Sequence, residues 1–464
     1  MSSPPAMSSS AKVVVIGAGI AGLASAATLT QAGFEHVQVL EAMCRPGGRI
    51  NSTRPFGPDV IEMGANWIHG QEGNPVFSLA KRHGLLSRND CSSVKCQLDS
   101  FTPCDYFFRE DGALVSQAGV EQVCDLFSKL MSRAFNDELE GKFHCKNLGQ
   151  YLDEAFADSP VASSFEDAVK VFEWCKRNAC TDEASSSLYE VSALQLKEYT
   201  SLEGGYYNSL GPGGYQAVVD VLLKILPPGA LLCDRPVTHI QWGLDSQAKG
   251  SFCPVKVLCE DGQEFEADHV IVTSSLGFLK ERASAMFEPA LPEDKIGAIE
   301  RLGFGTVDKI FLRFSERFWP EDCAGIQLVW EEGLEDRSVY CMLSEGRAWL
   351  ESWYKKICGF DIVAHHPTVL CAWITGREAQ YMETLQEEEV GRVCVRLLRS
   401  FTGWSVPEPT QILFSTWWSN PYVKGSYTFI PYGMNGVREH QALAAPLPNS
   451  TVCTEKKVPL STAQ

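Results

Sequence analysis

The first fifty residues alternate between two kinds of apolar segment. Val13-Val14-Val15-Ile16 is a short continuous β-branched run, the pattern of a strand covered on both faces. Leu23-Ala24-Ser25-Ala26-Ala27-Thr28-Leu29 is small and apolar, which suits a closely packed helix. Val37-Gln38-Val39-Leu40 is a second short strand. Gly17-Ala18-Gly19-Ile20-Ala21-Gly22 lies between the first strand and the helix, so the opening reads as strand, glycine turn, helix, strand, ending near Gly57.

Beyond it, Asn74-Pro75-Val76-Phe77 has the form of a capped helix start and Gly84 that of its stop. Residues 120–200 read largely helical, with Val123, Leu126, Phe127 and Leu130 forming one stripe. The glycine-rich stretch 203–214 is predicted to be a loop and 217–225 a helix. Strands are predicted at 236–242, 255–259 and 269–273, with Asp261-Gly262 as a hairpin turn. From Phe311 onward, strands at 326–330 and 369–375 alternate with a helix at 387–401.

The glycines give the opening unit its chemistry. Gly17 permits the tight turn, Gly19 lets backbone approach a pyrophosphate, and Gly22 lets helix and strand pack closely. Ala21 lies in the same turn. The helix N-terminus offers free N–H groups and about half a positive charge to a diphosphate. Glu41, about twenty residues after Gly22, is placed to accept from ribose hydroxyls and disfavours a 2′-phosphate. Arg45-Pro46-Gly47-Gly48-Arg49 follows directly, a second glycine turn near the same ligand. Gly48 allows close approach, and Arg49 offers a fork of donors to the diphosphate. This second turn has no role in a nicotinamide dehydrogenase and favours FAD.

Composition narrows the partners. The net charge of −18 argues against nucleic acid and suits a cationic substrate. No apolar run reaches the roughly eighteen residues of a membrane span, so no membrane partner is expected. Seventeen scattered cysteines read as free thiols of a reducing compartment, and their spacing with histidine predicts no metal site. Glu62 could add negative potential to a cation site or serve as an ordinary polar strand residue.

These motifs, with Glu62-Met63-Gly64-Ala65-Asn66-Trp67-Ile68-His69-Gly70, Gly213-Gly214-Tyr215-Gln216, Leu276-Gly277-Phe278-Leu279-Lys280, Gly303 to Ile310 and Asn420 to Tyr427, resemble the FAD-dependent amine oxidases. Within them the likeness is to the polyamine oxidases of the acetylpolyamine and spermine oxidase group. It implies a Rossmann-type α/β FAD-binding domain (11–90, 205–290 and part of 430–464) interleaved with a mixed-sheet α+β substrate domain (91–204 and 291–429). It implies non-covalent FAD, with Asn66 and Trp67 beside the flavin and the Val237 backbone at the adenine. The lysine matching Lys309 holds a water against the flavin. The histidine matching His69 faces the substrate amine, where a neutral imidazole can hold it or accept its proton. Tyr427 matches an aromatic wall for the amine, and Glu198 and Tyr199 a tunnel element whose carboxylate can pair with a distal ammonium. For each of these, the competing reading is core packing or a solvated charge.

The activity implied is oxidation of secondary amines of N1-acetylspermine, N1-acetylspermidine or spermine, with hydride transfer to FAD, imine hydrolysis and H2O2 release from O2. The partners implied are a polyamine and O2, and the expected state is a monomer. After Pro448 the family's closing strand, Gly-Glu-Ala-Thr-type motif and helix are not matched, so a shortened FAD domain is expected. The chain ends Ser461-Thr462-Ala463-Gln464, which is not a peroxisomal address. A cytoplasmic form is therefore expected, beside a peroxisomal full-length relative. Two alternatives stand: a splice form that binds flavin weakly or is inactive, and a flavin amine oxidase for another amine.

Overall fold

The computed structural model describes residues 9–87, 105–139, 146–243, 254–331 and 347–447, and the backbone of Val452–Thr454. The β-branched opening run forms β1 (Lys12–Ile16), the small-residue segment forms α1 (Ile20–Gln31), and β2 (His36–Leu40) pairs parallel to β1 in register. They belong to a five-stranded parallel sheet. Its order is Val452–Thr454, His269–Val272, β1, β2 and Leu231–Leu232. All-parallel sheets are buried on both faces, which is why β1 reads as an unbroken apolar run. Val13, Val14, Val15 and Ile16 are all buried.

The outer strand Val452–Thr454 corrects one expectation. The stretch after Pro448, in which no closing strand of the family was matched, contributes an edge strand parallel to His269–Val272. Three residues of backbone suffice to extend a ladder, and their side-chain pattern is too short to announce it.

A six-stranded mixed sheet forms the second layer of the molecule, in the order Gln411–Phe414, Val307–Arg313, Val369–Thr375, Gly359–Ile362, Gly325–Val329 and Asp105–Arg109. Val307–Arg313 is its pivot. Six of its seven residues are buried, and it pairs antiparallel with strands on both sides. Helices Gln117–Phe135, Leu148–Ala157 and Ala168–Asp182 pack beside it around Val123, Phe127, Leu130, Leu152 and Trp174. The stripe predicted for 120–135 is thus the buried face of a nineteen-residue helix. The hairpin predicted around Asp261-Gly262 joins Val255–Cys259 to Glu264–Ala267, with Gly262 at φ +83°. Two short strands, Gly303–Gly305 and Tyr427–Phe429, pair where the two large sheets meet.

Candidate active site

A cleft of about 310 Å³ opens at the C-terminal ends of β1 and β2, the place where parallel sheets hold ligands. Gly17, Gly19, Ala21, Glu41, Gly48, Arg49 and Val237 all border it. So do Ala65, Thr273, Phe304, Tyr422 and Tyr427. Gly17 adopts φ +101°, and a Cβ there would stand 2.7 Å from Thr273 Oγ1. Gly22 sits behind the turn, where a Cβ would run into the Gly17 carbonyl. Gly19 has no neighbouring atom within 4 Å of its would-be Cβ, so its backbone faces open space. That space is the room a diphosphate needs at the N-terminus of α1.

The second glycine turn lies against the first. Gly47 N donates to Ala18 O at 2.8 Å, and Gly48 at φ +58° lies close over Gly19. Arg45, unassigned from sequence, locks this turn by donating to Ile50 O and Gly48 O, each at 2.9 Å. Arg49 donates to the Ser426 carbonyl and lies 5.8 Å from the Phe304 ring centroid, which ties the turn to the far wall. Glu41 is 4% exposed and accepts from Ala18 N at 2.6 Å and Met43 N at 2.9 Å. Burial raises its pKa while these amides oppose the rise. Each carboxylate oxygen keeps a second lone pair for a ribose hydroxyl. Val237 begins its strand beside a register shift at Val237/His239, which frees backbone at the cleft edge.

Sequence reasoning missed Ser275. It caps the helix Leu276–Met286 by accepting from Phe278 N at 3.1 Å and donates to Val423 O at 2.6 Å. A second helix N-terminus therefore meets the cleft, and the serine ahead of Leu276-Gly277 was its available signal. The described residues fit a dinucleotide cofactor: two helix N-termini, a fork of cations, a buried acid and an unfilled glycine face.

Most of the remaining predicted residues gather around the loop 62–70. Lys309 is 4% exposed; its Nζ donates to Glu62 O at 2.8 Å and Gly64 O at 2.7 Å, with Asn66 Oδ1 at 3.5 Å. The ammonium also lies 4.6 Å from the Trp373 ring centroid. Burial lowers its pKa to about 8. Ala65 of the same loop borders the cleft, so Lys309 supports the cleft wall from behind. Trp67 stacks on Trp373 at 6.1 Å and meets Tyr207 edge-on at 5.0 Å.

His69 stands under Tyr206, with ring centroids 4.4 Å apart, and its Nδ1 lies 3.2 Å from Tyr206 O. A carbonyl accepts only, so Nδ1 carries the proton and Nε2 presents a lone pair. Burial lowers the imidazole pKa. The backbone of this loop is held by two asparagines that sequence did not single out. Asn74 donates to His69 O at 2.9 Å, and Asn208 to Ile68 O at 2.8 Å. Because the folded imidazole stays neutral above its ordinary value of about 6.5, the acid limb of kcat/KM is expected below that pH. His69→Gln is expected to remove this limb and cost about 100-fold in kcat/KM, read from pH profiles of both proteins.

Glu62 does not border the cleft. It accepts from Ser52 Oγ and Tyr215 N, both at 2.7 Å, at the start of the helix Gln216–Leu223. Its charge is thus spent on a helix N-terminus. Glu198 ends a 3-10 turn half-buried, and Tyr199 Oη lies 3.3 Å from Tyr206 Oη, which links it to His69. Tyr427 borders the cleft and donates to the Thr181 carbonyl.

That contact leads to two acids missed from sequence. Asp182 and Glu183 follow Thr181 and act electrostatically on Tyr427 and Tyr199. Burial, and then the neighbouring Asp182 charge, push Glu183 up to about 8. The Asp182 side chain is solvent-accessible and Glu183 half-buried, so Glu183 is the more strongly perturbed. Two acids at the C-terminal end of Ala168–Asp182 oppose the helix dipole, an arrangement visible in sequence once the helix is placed.

These features define a dinucleotide-binding protein of the oxidoreductase kind, with a buried lysine behind the loop at its cleft. A family described as flavin containing amine oxidoreductase matches residues 20–457, and the chain belongs to it. It is 36% identical to the peroxisomal N(1)-acetyl-spermine/spermidine oxidase of Bos taurus, across 94% of this chain and 87% of that protein. The Homo sapiens protein of the same name gives the same identity and coverage. Polyamine oxidase 1 of Oryza sativa subsp. japonica is 31% identical over 94% of this chain and 88% of its own length. The cofactor is accordingly a flavin. Among the described residues, no helix is long and apolar enough to cross a membrane.

Proposed function

We propose that this chain oxidises polyamines at a secondary amine beside FAD. The observation that carries the reading is the placing of Asp182 and Glu183 beside Tyr427, an aromatic wall of the cofactor cleft. A polycation needs an apolar, aromatic passage for its methylenes and a carboxylate for a distal charge. The relatives named for acetylspermine, spermidine and polyamine oxidation support the same substrate class.

When bound, the flavin would supply an acceptor for the hydride of the carbon next to the amine, reoxidisable by O2. The protein's own groups do the rest. His69 Nε2 accepts a hydrogen bond or a proton from the amine, so that it reacts neutral. Tyr206 and Tyr207 pack against the His69 ring and fix its orientation. Lys309, whose pKa burial lowers to about 8, holds or releases a proton at the loop 62–66. Asp182, Glu183 and the half-buried Glu198 draw the remaining ammonium groups.

Anaerobic addition of spermine, N1-acetylspermine or N1-acetylspermidine to the flavin-loaded protein is expected to bleach its visible flavin absorbance. A yellow protein unbleached by all three would overturn the proposal. Glu183→Gln is expected to raise KM for spermine about tenfold above pH 8, where the Glu183 carboxyl is ionised, and by less below it. The same variant should change KM by less than about twofold for a monoamine with no distal charge.

A further inference from the structure

Asp308 directly precedes Lys309 in the central strand and is fully buried. Its Oδ1 accepts from Ser415 Oγ at 2.7 Å and from Trp417 N at 3.3 Å. Its Oδ2 is buried and meets no N–H or O–H donor. What faces Asp308 there, within hydrogen-bonding reach, is the carboxyl of Glu383. Glu383 caps the C-terminus of the helix Gly376–Met382 and accepts from Trp418 N at 2.8 Å and Ser419 N at 2.6 Å. Two carboxylates facing each other are two acceptors. They can bond only when one carries a proton, and an unpaired buried charge would otherwise be costly.

We propose that Asp308 and Glu383 share one proton in a carboxyl–carboxylate hydrogen bond that pins the turn Ser415–Ser419. This makes them positioning residues for the site. The pair grips four donors of that turn: Ser415 Oγ and the amides of Trp417, Trp418 and Ser419. Trp417 in turn donates from Nε1 to Met63 O at 3.2 Å and lies against Gly64, whose carbonyl holds Lys309. Ser415 also exchanges hydrogen bonds with the Lys309 backbone at 2.9 and 3.0 Å. The chain then continues through Tyr422 and Val423 to Tyr427, all on the cleft wall. One shared proton therefore fastens the turn that leads into the cleft wall.

The charged groups around the pair come from each packed element. On the strand, Lys309 is occupied by the Glu62 and Gly64 carbonyls. The helix bearing Glu383 begins with the ion pair Arg377–Glu378 at 3.2 Å. The loop brings Lys424, 5.8 Å from the Trp418 ring centroid and bridged to Glu281 at 3.2 Å. Desolvation first, and then the Glu383 charge, hold the Asp308 pKa well above the ordinary carboxyl range. An unfolded chain releases the corresponding proton near pH 4. The clamp is therefore tightest in acid and weakens as pH rises toward final ionisation of the pair.

Hydrogen exchange of the flavin-loaded full chain tests this without relying on turnover. Exchange of peptides spanning 415–423, corrected for intrinsic rate, is expected to accelerate with pH. The gain is about tenfold per pH unit while the closed pair keeps a proton that the opened turn has released, and it levels off once the closed pair ionises as well. Asp308→Asn supplies a permanent N–H donor to Glu383 and should hold exchange within about twofold over the same range, with flavin content unchanged. Glu383→Gln likewise removes the shared proton, so its exchange should also be flat with pH, though faster throughout because one of the Trp418 and Ser419 amides loses its acceptor. If the parent turn shows no pH dependence, or if both amide variants follow the parent profile, the proposal is overturned.

Discussion

Lys309→Met is expected to slow turnover by about 100-fold or more, the usual range for removing a positioned proton-transfer group. The site explains why the loss should be large and the fold should survive. The methylene stem of Lys309 is buried in the sheet, and methionine fills similar space. What disappears is the ammonium bridging the Glu62 and Gly64 carbonyls beside Asn66. Losing it leaves two loop carbonyls without their donor, at about 1–3 kcal/mol each, offset by no longer burying a charge. Because the folded pKa is near 8, the parent kcat profile should inflect there, and the variant should be flat through the same region.

The stability consequence has a definite sign. The unfolded lysine keeps its proton to about 10.5, whereas the folded one gives it up near 8. Below about 8 both states hold the proton and the full cost of burying the charge is present. That cost fades between the two values as pH rises. Any thermal advantage of Lys309→Met should accordingly shrink from pH 8 to pH 10, which a melting series would read. Stopped-flow measurements should assign the kinetic loss. Anaerobic reduction by amine is expected to stay near parent rates, while the oxygen-dependent half carries the defect.

Gly22→Ala is expected to yield colourless, destabilised protein. The added carbon would enter the Gly17 carbonyl and lie 2.9 Å from Thr273 Oγ1, so α1 must move off β1. Forcing a methyl into such a contact costs about 1–3 kcal/mol. It also displaces the turn that Glu41 braces through Ala18 N. Gly19→Ala separates the two effects. Its Cβ would meet open space in the protein, so thermal stability should stay within about 0.5 kcal/mol of the parent. It would nonetheless project a methyl where a diphosphate must approach, and flavin affinity should fall at least about 100-fold. The flavin-to-protein ratio after gel filtration and the melting temperature together distinguish these outcomes.

The parts of this molecule legible from sequence are those whose cause is local. β1, α1 and β2 announce themselves because strand, turn, helix and ribose acid fall within about thirty residues, and each glycine has a steric reason within that span. The stripe Val123, Leu126, Phe127 and Leu130 is legible because a helix repeats every 3.6 residues. Function dispersed across the chain is harder to see. Glu62 reads as a site acid until Ser52 and the Tyr215 amide, more than 150 residues downstream, are seen to occupy it. Asp182 and Glu183 read as a helix end until Tyr427 arrives from a distant strand. Asp308 has no visible partner within its own strand, because Glu383 and Trp417 reach it through the meeting of a helix and a loop. Lys309 became a candidate through its motif; its burial followed only from strands 369–375 and 411–414 closing on either side.

The order of strands in the parallel sheet has a consequence for biosynthesis. Neighbours in that sheet come from residues 12–16, 36–40, 231–232, 269–272 and 452–454. A nascent chain leaving the ribosome can pair its first two strands early, but the third, Leu231–Leu232, begins 191 residues after Leu40. Such distant pairing slows folding and leaves apolar edges exposed while translation continues. The glycine cradle is thus made first and closed late, so chaperone engagement should precede cofactor loading in the life of each molecule.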